Sequence, residues 1–166
     1  MIAVHIVIHA IGLGMSPSRA TSVLIIIGIT GIAGGLISGR LADVLGMKPV
    51  LLTSFVLMFL ASLSIIIAAE AWVIFLFAFL FGIAYGTFET MQSQIIVELF
   101  GLNSVGTIFG AALSISTIGY TLGPIVAGHL FDITNSYQIA FSICALMALV
   151  SIVSAVFLPL TPRKGE

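Results

Sequence analysis

Few residues in this chain can do chemistry, and three of its eleven formal charges fall in one stretch. That stretch is Gly35-Leu-Ile-Ser-Gly-Arg-Leu-Ala-Asp-Val-Leu-Gly-Met-Lys-Pro49, placing Arg40, Asp43 and Lys48 between two long apolar runs. Two cations and one anion at this spacing can pair with opposing charges or helix ends, but they supply no nucleophile with an oriented base. Glu89 is the only acidic residue well inside an apolar run. A carboxylate there costs about 2.5–3.5 kcal/mol on insertion scales and must face other helices or a water-filled path. It reads as a proton or substrate group, or as a structural one near the interface, with Gln92 and Gln94 keeping its surroundings wet. His5 and His9 are four apart and share a helix face. The spacing can hold a metal, but no third ligand lies nearby, so a pair lining a path or an interface is the better reading. Tyr120 offers a hydroxyl to the same path, as do Tyr85, Ser114, Ser116 and Thr117.

Other chemistries lack their motifs. There is no G-x-S-x-G elbow and no His-Glu-x-x-His. Phosphate-cradling loops and basic nucleic-acid patches are missing, and no cofactor is implied. The chain reads as something other than an enzyme.

These residues must be held by helices that live in lipid. Of 166 residues, 60% are hydrophobic and only 7% are charged, whereas soluble domains carry roughly 25% charged residues. The mean hydropathy is +1.32. A water-facing surface cannot be built from this composition, and the chain is read as an integral membrane protein. The single cysteine, Cys144, lies within an apolar run, so no intramolecular disulfide can form. No cleavable leader is evident at the start.

A bilayer core about 30 Å thick takes about 20 apolar residues per helix. Five runs qualify, at about 20–39, 50–69, 72–92, 104–129 and 139–158. Residues 1–13 are too short to span and read as the end of a truncated helix. The whole, 1–166, forms one all-α membrane domain. Ser16-Pro17 gives a cap followed by proline at a helix start, and Gly101 and Pro159 mark helix stops. Five spans put Arg40, Lys48, Arg163 and Lys164 on one side and Arg19 on the other. The basic excess predicts that the 39–49 loop and the C-terminus are cytoplasmic.

Small residues form stripes on three of the spans. Gly28, Gly31, Gly35 and Ser38 line the first, Gly82 and Gly86 the third, and Gly106, Gly110, Gly119, Gly123 and Ala127 the fourth. In lipid such stripes let helix backbones approach closely, which serves packing and permits sliding. The second span has no glycine and reads as an outer, lipid-facing helix. Pro124, deep in the fourth span, removes one backbone bond and predicts a kink, either static or a hinge.

The pattern from Gly35 to Pro49, with Gly35, Gly39, Arg40, Asp43, Gly46 and Lys48, resembles the cytoplasmic signature loop of the major facilitator superfamily. The run Gly110, Gly119, Gly123-Pro124, Ala127-Gly128 is similar to that family's glycine-proline helix motif. The phrases His5-Ile-Val-Ile-His-Ala and Leu122-Gly-Pro-Ile-Val-Ala-Gly-His-Leu-Phe-Asp132 resemble monocarboxylate-porter and oxalate–formate-type members. Ala78 stands where an N-terminal half of such a protein would carry arginine. The resemblance therefore implies the C-terminal six-helix repeat: five complete spans plus the end of a sixth. It implies a secondary transporter in the plasma membrane, moving a small solute by alternating access, with a small organic anion as one class and a proton or exchanged anion as coupling partner. Its other partner would be a missing N-terminal six-helix half. In such a loop Asp43 would cap a helix of that half, and Arg40 and Lys48 would steady the cytoplasmic gate. The carboxylate carriers place a basic residue in the eighth or eleventh helix, yet neither 20–39 nor 104–129 holds Lys or Arg. A truncated membrane protein without transport, or a subunit needing a separate half, is the alternative reading.

Overall fold

A computed structural model describes residues 2–67 and 70–159, with side chains from His5 onward. The expected cytoplasmic tail with Arg163 and Lys164 lies outside the described residues, as does the end of the 50–69 run. The chain forms α1 (Ile2–Gly12), α2 (Pro17–Leu45), α3 (Met47–Ile66), α4 (Ala71–Phe100), a 3-10 turn (Leu102–Ser104), α5 (Val105–Thr134) and α6 (Gln138–Val156). Five of these segments are long and apolar enough to cross a membrane. No strand is present among the described residues, as expected where every backbone polar group must be satisfied inside hydrocarbon.

Several helices are longer than their apolar runs. α2 has 29 residues and α4 has 30, or about 44 Å at 1.5 Å per residue, well beyond the hydrocarbon core. The expected 39–49 loop is thereby corrected: the chain stays helical through Arg40 and Asp43 to Leu45 and turns on Gly46 alone. A helix leaving the bilayer has no physical reason to stop where its side chains become charged. It stops where the backbone can turn. Gly46 has φ +89°, favourable for glycine and strained for other residues, and its N–H still bonds the carbonyl of Ala42 at 3.0 Å. Glu89, Gln92 and Gln94 likewise lie within continuous helix, since α4 runs on to Phe100.

The helices pack unevenly. α2 and α4 make the closest pairing. A Cβ on Gly34 would sit 2.5 Å from the Ile83 carbonyl oxygen, and one on Gly86 would collide with the carbonyl of Gly31. α4 also packs on α3, which packs on α6. The expectation that α3 is merely an outer helix needs amending. Ser54, Ala61, Ser62 and Ile65 are buried on one face, while Val56, Leu60 and Leu63 remain exposed on the other. Ser54 and, seven and eight positions on, Ala61 and Ser62 give the close approach that glycine gives elsewhere, and each serine returns its proton to its own helix.

Two buried clusters mark the two ends of the bundle. One gathers Ile6, Val23, Ile65, Phe77, Ala78 and Phe141; the other gathers Ala42, Val50, Leu51, Met91 and Ala155. Ala78 is fully buried, so the position offers space only for a methyl. α5 stands apart. Among its described residues only Ala127 is buried.

Candidate functional site

Polar links near its proline join α5 to the bundle. The helix runs unbroken through Pro124, whose missing N–H leaves the carbonyl of Tyr120, four residues back, without its usual helical partner. The Tyr120 hydroxyl donates to Glu89 Oε1 of α4 at 3.0 Å. One turn further on, His5 of α1 bonds the carbonyl of Pro124 through Nε2 at 3.1 Å. A carbonyl only accepts, so Nε2 carries a proton, and Nδ1, where it carries none, accepts from the Tyr137 hydroxyl, also at 3.1 Å. Burial, and then the Asp132 carboxylate, push the Tyr137 phenol above its ordinary range.

Around that bond lies an aromatic cluster at the end of the bundle. Tyr137 stacks on Phe131 with ring centroids 4.4 Å apart, and His9 meets Phe141 nearly perpendicular at 5.1 Å. His5 and His9 thus share a face and a cluster, but both His5 nitrogens are engaged by protein, which leaves neither for a metal. Tyr137 is the partner that sequence reading missed. It lies 132 positions from His5, so no local pattern could disclose the pair.

Tyr120 borders a cavity of about 350 Å³ between α3, α4, α5 and α6. Phe55, Phe81, Tyr85, Phe88, Cys144 and Met147 are among its walls. Phe81 and Tyr85 stack nearly parallel, with centroids 6.1 Å apart. The space is apolar, with Ser62, Tyr85, Tyr120 and Ser151 as its hydroxyl-bearing walls, and is able to take a small solute with an apolar body.

The matches to known proteins fit this arrangement. The sequence matches the model of the Major Facilitator Superfamily over residues 1–166. The chain belongs to that superfamily. It is 31% identical over 166 residues to monocarboxylate transporter 10 of Homo sapiens, covering 98% of this chain and 32% of that protein. It is 26% identical over 147 residues to monocarboxylate transporter 4 of Gallus gallus, covering 86% of this chain and 31% of that protein. With monocarboxylate transporter 12 of Homo sapiens the identity is 26% over 167 residues, with 98% and 32% covered. The chain therefore spans about a third of the length of these relatives.

Within this superfamily member the residues singled out from the sequence fall into separate places. Gly35 packs against α4, where a Cβ would lie 2.9 Å from Thr90 Oγ1, while one on Gly39 would meet nothing within 4 Å. Arg40 and Asp43 are exposed on the last turns of α2. Lys48, half-buried, turns the other way, toward the end of α6. On α5 an added Cβ at Gly110 or Gly119 would meet nothing within 4 Å, and at Gly128 only the His5 ring at 3.9 Å. Among the described residues, then, no backbone lies against the glycines at 110 and 119 of this run.

Proposed function

We propose that this chain is the C-terminal six-helix part of a secondary transporter in the plasma membrane, moving a small solute by alternating access. The observation that carries the reading is the bare face of α5. Among its described residues α5 buries only Ala127, whereas α4 buries nine, from Ile74 to Ile96. That bare surface is not oily throughout. Ser114, Thr117 and Thr121 lie on it, each returning its proton to the carbonyl four residues back. A surface of glycines and internally satisfied hydroxyls suits a close helix partner or a solute path better than lipid. The uncovered sides of α5 and α2 would then meet an N-terminal half, with the solute held near the midplane between the two.

The relatives named as monocarboxylate transporters make a small organic anion the first substrate class to try. No Lys or Arg lies on α2 between Arg19 and Arg40, or anywhere on α5. The anion's counter-charge would thus come from the other half. Arg40 and Lys48 on one side, with Arg19 alone on the other, favour an orientation in which the Gly46 turn is cytoplasmic.

The test is uptake of labelled small carboxylates, with neutral analogues beside them, into proteoliposomes holding the protein as encoded. Asp43→Asn should lower uptake about tenfold while membrane expression stays level, the loss expected where a charge-assisted bond worth about 1.4 kcal/mol steadies one state of the cycle. No uptake of any solute by well-folded protein would refute transport. Labelling of a cysteine at exposed Val44 only from the outside would reverse the orientation.

A further inference from the structure

Lys48 has partners that its place in the motif does not announce. Its ammonium donates to the carbonyl of Val156 at 2.7 Å and to that of Leu158 at 3.0 Å. Both oxygens lie where α6 ends, and the last carbonyls of a helix have no partner within it. They also carry the negative end of the helix dipole, which a cation offsets. The two helices are already in contact below this point, for Val50 and Leu51 of α3 share a buried cluster with Ala155 of α6. Arg40 and Asp43 stand exposed on α2, on the far side of the Gly46 turn.

We infer that Lys48 is a positioning residue, a clasp that fastens the start of α3 to the end of α6 within this one chain. The Gly46 turn and the point where the chain leaves α6 then move as one rigid body. The motif divides in function: Arg40 and Asp43 face outward, while Lys48 holds the platform from which they do so. This goes beyond the transport reading and does not depend on any solute being moved.

Spin labels at Val44 and Phe157, which are 81% and 80% exposed, measure it by pulsed electron resonance in nanodiscs, in the protein as encoded. The parent should give one narrow distance. Lys48→Gln should broaden the distribution about twofold as the α6 end opens locally, and Lys48→Arg, which also caps carbonyls, should restore it. A Lys48→Gln distribution as narrow as the parent's, or no recovery with Lys48→Arg, overturns the clasp. Should Lys48→Gln fail to fold, the parent and Lys48→Arg decide. Two narrow, matching distances support the clasp, and a broad distance in either overturns it.

Discussion

Two faces of this molecule carry the same sequence signal and meet opposite surroundings. On α2 and α4, glycines at three- and four-residue steps press backbone on backbone, with Gly34 against Ile83 and Gly86 against Gly31. On α5, Gly106 and Gly110 recur four apart with Gly119 on the other side of the helix, and an added methyl at any of them would meet nothing within 4 Å. A stripe of small residues says that something must come close. It does not say what. For α2 and α4 the answer is within the chain; for α5 the proposed function supplies it as another half.

The largest effect should come from breaking the filled face. Gly86→Ala puts a methyl into a backbone carbonyl that has no flexible end to yield. Overpacking of this kind costs about 3 kcal/mol or more where neither backbone can shift. The α2–α4 pair should separate, seen as loss of a monodisperse species and a lowered melting temperature in detergent. A melting temperature equal to the parent's would mean that the two helices slide apart freely and that their contact is no fixed joint.

The bare face should respond in the reverse sense. Gly119→Ala relieves a helix of a flexible residue and, taken alone, should stabilise it by about 0.5–1 kcal/mol. Where a second half packs on α5, the same methyl would intrude, and a penalty of about 1.4 kcal/mol in one conformation would slow uptake roughly tenfold. Stability raised with transport lowered is the outcome that separates an interface from a lipid-facing surface. Transport unchanged by both Gly110→Ala and Gly119→Ala would return α5 to the lipid.

The contrast also explains what could be read from the sequence. Helix number and identity were legible because about 20 apolar residues between polar breaks admit few other structures in a bilayer. The motif charges were legible as a group because lipid-compatible sequence leaves so little else charged. Helix ends were less so. Arg40 and Asp43 look like loop residues, yet a helix continues outside the membrane until a residue such as Gly46 turns it. The packing of α3 was hidden because Ser54, Ala61 and Ser62 act as small residues without being glycine. Links across the bundle, such as His5 to Tyr137 and Lys48 to Val156, join positions more than 100 apart and leave no trace in local pattern.

The smallest effect should come where the two kinds of face adjoin, at the His5 cluster. There α5 changes from its bare N-terminal part to the end held by Phe131 and the Pro124 carbonyl. Tyr137→Phe keeps the ring that stacks on Phe131 and removes only the hydroxyl that bonds His5 Nδ1. A hydrogen bond of this kind contributes about 1 kcal/mol net, so the melting temperature should fall slightly and the fold should persist. The informative readout is local. With Nδ1 released, the imidazole can turn, and its hold on the Pro124 carbonyl weakens. Hydrogen exchange should then quicken at amides 125–134, while those of α4 keep their protection. Equal protection throughout α5 in parent and variant would show that His5 keeps its hold without Tyr137, and that packing on Phe131 alone secures this end of the helix.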